Sequence, residues 1–277
     1  MTMKRIILTI IFLSLWGLAG LAQHEFSVYS GGGLSALNYG VTVGKQKNGF
    51  GGQFGLGYHY FFAPQWGALT GIEFSMYNAR FNSDNMSTRS IARDTDENVD
   101  FEFRSALSGY KEKQGATLLQ IPFMGQYQTT GERRFYAAAG FKLGIPLGGK
   151  YSSTIANIKN SGYYAEPEDY EYDTQEFRGF GSFANRTGKG DMSLKAAFFL
   201  SLETGMKLTL SEKLSLYAGA YFDYGLNNIR KTETLPLVEY NNHHPPSFTT
   251  NSVLSTTFTN KINMMAVGIK VRLALVK

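Results

Sequence analysis

The sequence predicts an all-β fold, an eight-stranded antiparallel up-and-down transmembrane β-barrel. Three observations lead there. From Phe50 to Phe62 every second residue is apolar or glycine (Phe50, Gly52, Phe54, Leu56, Tyr58, Tyr60, Phe62), and the intervening face carries Gly49, Gly51, Gln53, Gly55, Gly57, His59 and Phe61. Side chains alternate across a strand, so one face is greasy and the other mostly small or polar, over the roughly 9–11 residues a membrane-crossing strand needs. The same dyad pattern returns in seven more segments, joined alternately by tight turns and long polar stretches. Finally, Lys4 and Arg5, the apolar run Ile6 to Leu18 and Gly20-Leu21-Ala22 form an export signal, too short for the roughly 20 residues of a spanning helix. Residues 1–22 are therefore expected to be a signal peptide, and 23–277 one outer-membrane β-barrel domain.

Each strand follows from its own alternation. The first, Glu25 to Ala36, puts Phe26, Val28 and Leu34 on one face, with Gly31-Gly32-Gly33 allowing curvature. The second is the Phe50–Phe62 stretch. After Ala63-Pro64-Gln65 the third aligns Trp66, Ala68, Thr70, Ile72, Phe74 and Met76 against Glu73, Ser75 and Tyr77, running to about Phe81. From about Asn82 to Gly115 neither period persists, which reads as a long loop. The fourth strand, Ala116 to Gln128, sets Leu119, Ile121, Phe123 and Tyr127 against Gln120, Pro122 and Gln126; after Thr129–Arg133 the fifth sets Phe135, Ala137, Ala139, Phe141, Leu143 and Ile145 against Tyr136, Gly140 and Lys142. A second loop is expected over Ser152–Asp191. In the sixth strand Leu194, Ala196, Phe198, Leu200, Leu202 and Met206 oppose Lys195, Ser201, Glu203 and Lys207. In the seventh Leu214, Leu216, Ala218, Ala220, Phe222 and Tyr224 oppose Ser215, Tyr217, Gly219, Tyr221 and Asp223. A third loop, Asn227–Asn260, precedes the eighth, where Met265 to Leu275 alternate with Gly268, Lys270 and Arg272. The even count returns both termini to the periplasmic side, and Trp66, beside a short turn, suits an interfacial aromatic girdle.

Composition narrows the function classes. With no cysteine, disulfides, thiolate metal sites and cysteine nucleophiles are excluded. Gly 31, Tyr 17 and Phe 21 against Pro 7 is a strand-rich and turn-rich profile. The net charge of +5 is scattered, so no nucleic-acid footprint is read from it. A soluble lipocalin-like barrel or a sandwich would also alternate, but the spans exceed the usual 5–6 residues of globular strands. Their mid-strand charges would also be costly in a dry soluble core, whereas a polar lumen lets them pair and hydrate.

Leu118-Leu119-Gln120-Ile121-Pro122-Phe123 and Phe135-Tyr136-Ala137-Ala138-Ala139-Gly140-Phe141-Lys142-Leu143-Gly144 resemble the porin-like, PorT-like outer-membrane β-barrel family. Leucine and glutamine stand where that family has tyrosine and glutamate, and the chain ends Leu275-Val276-Lys277 rather than on an aromatic. The resemblance implies the fold, a Gram-negative outer-membrane location, and outer-membrane lipid and the barrel assembly machinery as partners. It implies little biochemistry, since one scaffold hosts many roles.

The candidate site is a lumen polar network in which Glu73, Glu203 and Asp223 pair with Lys142, Lys195, Lys270 and Arg272. An eight-stranded barrel is just filled by its own side chains, so the network is expected to plug the lumen rather than gate a narrow pore. Asp94–Asp100 alternates oxygen ligands as a calcium loop does, but lacks the glycine at the sixth position and has Ser105 where a bidentate glutamate is needed. Glu166–Glu176, with Tyr170 and Tyr172, reads as a hydrated surface segment, and His243-His244 lacks the spacing for one metal. His59, Ser75 and Glu73 are the residues a hydrolase would need, but they fall at different depths. The chain is thus expected to be a monomeric, non-enzymatic barrel without cofactor or metal. Three long surface loops would serve adhesion, an extracellular or envelope protein partner, or envelope integrity; the alternative is a transport or secretion accessory or a narrow pore.

Overall fold

A computed structural model describes residues 23–165, 169–231, 234–242 and 246–277; the signal peptide expected at 1–22, Glu166 and the His243-His244 pair lie outside them. Among the described residues twelve strands form: β1 (Gln23–Val41), β2 (Lys45–Phe61), β3 (Trp66–Asp94), β4 (Val99–Gln128), β5 (Arg133–Tyr164), β6 (Tyr170–Tyr172), β7 (Gly181–Asp191), β8 (Ala197–Ser211), β9 (Leu214–Gly225), β10 (Val238–Asn241), β11 (Ser247–Thr250) and β12 (Thr259–Val276). Eight of them, β1, β2, β3, β4, β5, β8, β9 and β12, pair antiparallel in that order, and β12 returns to β1, which closes the ring. Closure removes the unpaired sheet edges that a bilayer does not tolerate. His24 and Lys277 exchange backbone hydrogen bonds at the end where the short turns lie, and Gly131 supplies the positive φ of 109° that the β4–β5 turn requires.

The alternation maps onto inside and outside as lipid demands. Phe50 is 69% exposed on the outer wall whereas Phe61, of the opposite parity, is 1% exposed within. Phe26, Leu56, Ile72, Phe123, Phe141, Ile269 and Leu275 continue the apolar outer belt, and Trp66 packs on Tyr127 at its lower rim with ring centroids 5.0 Å apart. The belt ends above near Phe50, Met76, Thr117 and Leu147.

The loops expected over 82–115 and 152–191 are corrected by the structure. β3 and β4 run on as one ladder to a tight turn at residues 95–98, β5 continues to Tyr164, and β7 pairs with the outer half of β5. These extensions form a blade standing above the belt. The period is lost in the sequence because the inward face changes phase partway up. In β3 the buried positions pass from Phe81 and Ser83 to Met86; in β4 they pass from Tyr110 to Leu107; in β5 they pass from Ile155 to Ile158. All three slips lie at one level, where Gly109 takes φ 62° and a Cβ on it would lie 2.9 Å from the Ala156 side chain. A window averaged across such a slip sums two opposed phases to nothing.

The 227–260 segment is also corrected. It forms the β10–β11 hairpin and a 3-10 turn at Val253–Ser255, and Val253 and Leu254 are buried. Tyr240 of the hairpin meets Phe101 edge to face at 5.2 Å, and Phe101 stacks on Tyr164 at 4.9 Å. Aromatic pairs of this kind add about 0.5–1.5 kcal/mol each beyond the area they bury. The described parts of the segment therefore fold inward, against the blade and over the barrel mouth.

Candidate functional site

Inward parity on β3, β5, β8, β9 and β12 delivers charged side chains to the barrel axis, and glycines on the facing strands leave them room. A Cβ at Gly55 would lie 2.8 Å from the Tyr29 ring, so glycine there seats Tyr29, whose ring lies 4.0 Å below the Lys270 ammonium. Lys142 Nζ donates to Glu73 Oε1 at 3.0 Å and to Asp223 Oδ2 at 2.9 Å, all three side chains being fully enclosed. Lys270 joins Glu73 at 3.3 Å to Glu203 at 2.5 Å, and Glu203 accepts from Arg272 at 2.5 Å. Neutral groups complete the shell: Ser201 donates to Asp223 at 2.5 Å, the Ser75 hydroxyl lies 2.9 Å from Glu73 and Gln120, and Gln120 donates to Tyr77 at 3.1 Å.

The structure thus brings Glu73, Lys142, Glu203, Asp223, Lys270 and Arg272 into one cluster. Lys195 is corrected: β8 begins only at Ala197, the preceding backbone turns to bond Ile229, and the Lys195 side chain is exposed outside the lumen. Its parity suits the lumen, but the strand that would carry it inward has already ended. Sequence reading missed Glu25 as a member. Glu25 is fully buried, takes Lys207 at 2.5 Å and accepts the Tyr217 hydroxyl at 2.6 Å. Its signal was available, an acid on the inward face of a strand beside His59, but it stands at the strand end, where charge is unremarkable. His59 accepts from Arg272 at 2.9 Å, whereas Ser75 is held by Glu73 and Gln120, so the two residues a hydrolase would join have separate partners.

Above the belt Glu112 holds the 252–255 turn against β4. Only 1% exposed, it accepts from Ser252 Oγ at 2.7 Å, Val253 N at 3.0 Å, Gln114 Nε2 at 2.7 Å and the Tyr110 hydroxyl. Burial raises its pKa above the ordinary glutamate value, against the lowering effect of those hydrogen bonds. At the blade tip burial works to raise Asp94. The Tyr164 hydroxyl, the Glu97 and Asp96 N–H groups and Arg178 outweigh it and hold the carboxyl below its usual range. The carboxylate that would open a calcium loop is thus occupied by the turn it caps. The outer flank of the blade carries a cleft of about 900 Å3 with Arg89, Arg104, Lys159, Glu171 and Asp173 on its walls. There Arg104 lies 4.2 Å over the Tyr163 ring and bonds Glu102 at 2.7 Å.

A closed antiparallel barrel with an apolar outer belt, a charged interior and short turns at one end is the architecture of an outer-membrane β-barrel protein. The chain belongs to the family described as outer membrane protein beta-barrel domain, which matches residues 21–230. Its place is accordingly the outer membrane. No curated protein matches the chain. Among solved structures it is similar to a major outer membrane protein from Thermus thermophilus (14% identity, TM-score 0.38, 92% of this chain and 99% of that one). It is also similar to OprG from Pseudomonas aeruginosa (14%, 0.35, 91% and 95%) and to Ail, the attachment invasion locus protein of Yersinia pestis (10%, 0.29, 92% and 99%).

Proposed function

We propose that the protein is a non-enzymatic, non-conducting outer-membrane scaffold that holds a rigid β-blade outside the cell as a recognition surface for an extracellular or envelope partner. The observation that carries this reading is the continuation of β3, β4 and β5 above the belt, backed by β7 and braced inside by the β10–β11 hairpin. A surface held by hydrogen-bonded strands and buried aromatics is pre-organised, so binding to it costs little ordering entropy. The lumen supports the same reading. Lys142, Glu73 and Asp223 are fully enclosed within the barrel and Glu112 fixes the turn over the mouth, which suits a lumen filled by its own side chains.

The test has two arms. Planar bilayers holding the full chain are expected to show no stable openings; steady conductance that responds to Lys142→Gln would favour the pore. In a deletion strain, a variant joining Ser83 to Tyr110 through a short turn is expected to insert as a heat-modifiable barrel yet fail to restore the adhesion or envelope phenotype. A secretion defect rescued equally by that shortened form would favour the accessory role that the PorT-like resemblance implies.

A further inference from the structure

The outer face of the sheet carries a band of cations that the barrel itself does not neutralise. Cross-strand register sets Lys47 opposite Arg80, Arg80 opposite Lys113, Lys113 opposite Ser152, and Ser152 opposite Lys189. One continuous row thus crosses five strands, with Lys45 and Lys111 two residues above it and Lys150 two residues below. All seven cations are exposed and, among the described residues, none is in an ion pair. Like charges directly opposite each other destabilise a sheet, so packing does not account for the row.

Two bulges aim it. The register shift between Asn48 and Gly52 in β2 turns Lys45 and Lys47 to the outer face, and the shift at Leu147 in β5 does the same for Lys150, whose parity would otherwise point it inward. Bulges re-aim side chains in this way. Both bulges sit at the upper limit of the belt, so the row begins directly above exposed Phe50, Met76 and Leu147. The row also contains a hollow of about 560 Å3 lined by Asn78, Lys113, Lys150, Ser152, Lys189 and Asp191. Asp191 stands opposite Lys150 in the register, which leaves the hollow with a net charge of plus two from Lys113 and Lys189, beside the Ser152 hydroxyl.

We infer that this hollow binds the phosphorylated headgroup of an outer-leaflet lipid, its acyl chains lying on the apolar belt below. Neighbouring strands about 4.8 Å apart bring the ammonium groups within reach of a common phosphate. The continuity of cation row and apolar wall selects a lipid over a free anion, which would have no use for the wall. Such a ligand neutralises the like-charge row and fixes the height of the barrel in the membrane.

The experiment is native mass spectrometry of the full chain folded in detergent micelles, offered three probes: a bisphosphorylated acylated disaccharide, the same disaccharide without phosphates, and inorganic phosphate. The bisphosphorylated probe is expected to be retained at least roughly tenfold more strongly than the phosphate-free one. K113Q/K150Q/K189Q should abolish that preference, while R133Q/K213Q, at the opposite end, should keep it. Heat-modifiable migration confirms that each variant is folded, and single substitutions at the same lysines replace the triple variant if it is not. Equal retention of the two acylated probes, unchanged preference in the lysine variants, equal loss in the R133Q/K213Q control, or competition by equimolar inorganic phosphate would each overturn the inference.

Discussion

Lys142→Met tests whether the lumen cluster is a structural core. Lys142 is the only cation paired with Asp223 among the described residues, at 2.9 Å, and it shares Glu73 with Lys270. Without it, Asp223 keeps one hydroxyl hydrogen bond from Ser201, whereas Glu73 retains Lys270 at 3.3 Å and Ser75. The cost therefore falls mainly on one fully buried carboxylate left without a counter-charge. Removing one partner of a buried pair costs about 3–5 kcal/mol, several-fold more than loss of one neutral hydrogen bond. In the double variant Lys142→Met, Asp223→Asn, the amide can still accept from Ser201, and most of the loss should be recovered, leaving about 1–2 kcal/mol. The assay is urea unfolding in lipid vesicles followed by Trp66, the only tryptophan after residue 22. If Lys142→Met unfolds within about 1 kcal/mol of the parent, or if the double variant is no better than the single, the pairing does not hold the lumen together.

Three further outcomes are expected. Gly55→Val should destabilise the barrel by about 1–3 kcal/mol in the same assay, because its Cβ would lie 2.4 Å from the Ile72 carbonyl and 2.8 Å from the Tyr29 ring; parental stability would show that Tyr29 has another seat. For Glu112 the folded pKa is raised, so the docked turn binds the proton more readily than the open one. Docking should therefore strengthen as pH falls through that raised value and level off below the ordinary glutamate value near about 4.3. Hydrogen exchange at Val253, corrected for its intrinsic rate, should follow that course and lose its slope in Glu112→Gln; a latch that loosens in acid would contradict it. Asp94 has the opposite sign: its pKa is depressed, so its contribution to the blade tip is complete above the ordinary aspartate value and lost as pH falls through the folded one. Asp94→Asn should remove that acid sensitivity from exchange at Asp96 and Glu97, and an unchanged acid profile would argue against the cap.

The residues that were legible and those that were not differ for physical reasons. Phe50, Phe54 and Leu56 declared the outer wall because a pleated strand in lipid must show apolar groups at every second position, and that demand acts on each strand separately. Glu73, Lys142, Glu203, Asp223, Lys270 and Arg272 were legible as inward charges by the same parity. Above the belt no such demand exists. Phe101 and Phe103 are buried by the β10–β11 hairpin rather than by lipid, and the slip at Gly109 inverts the phase, so strands read there as loop.

The sequence by itself determined the barrel, its strand order and which face meets the bilayer, because these follow from a local period. Only the tertiary structure decided that Lys195 stays outside, that Glu25 reaches Lys207, that the last long segment folds over the mouth onto Glu112, and that seven cations gather in one outer band, four of them in a single cross-strand row. Those outcomes depend on ring closure and on where bulges fall. Closure brings together residues far apart along the chain, and a one-residue shift in a pleat turns every side chain beyond it to the other face.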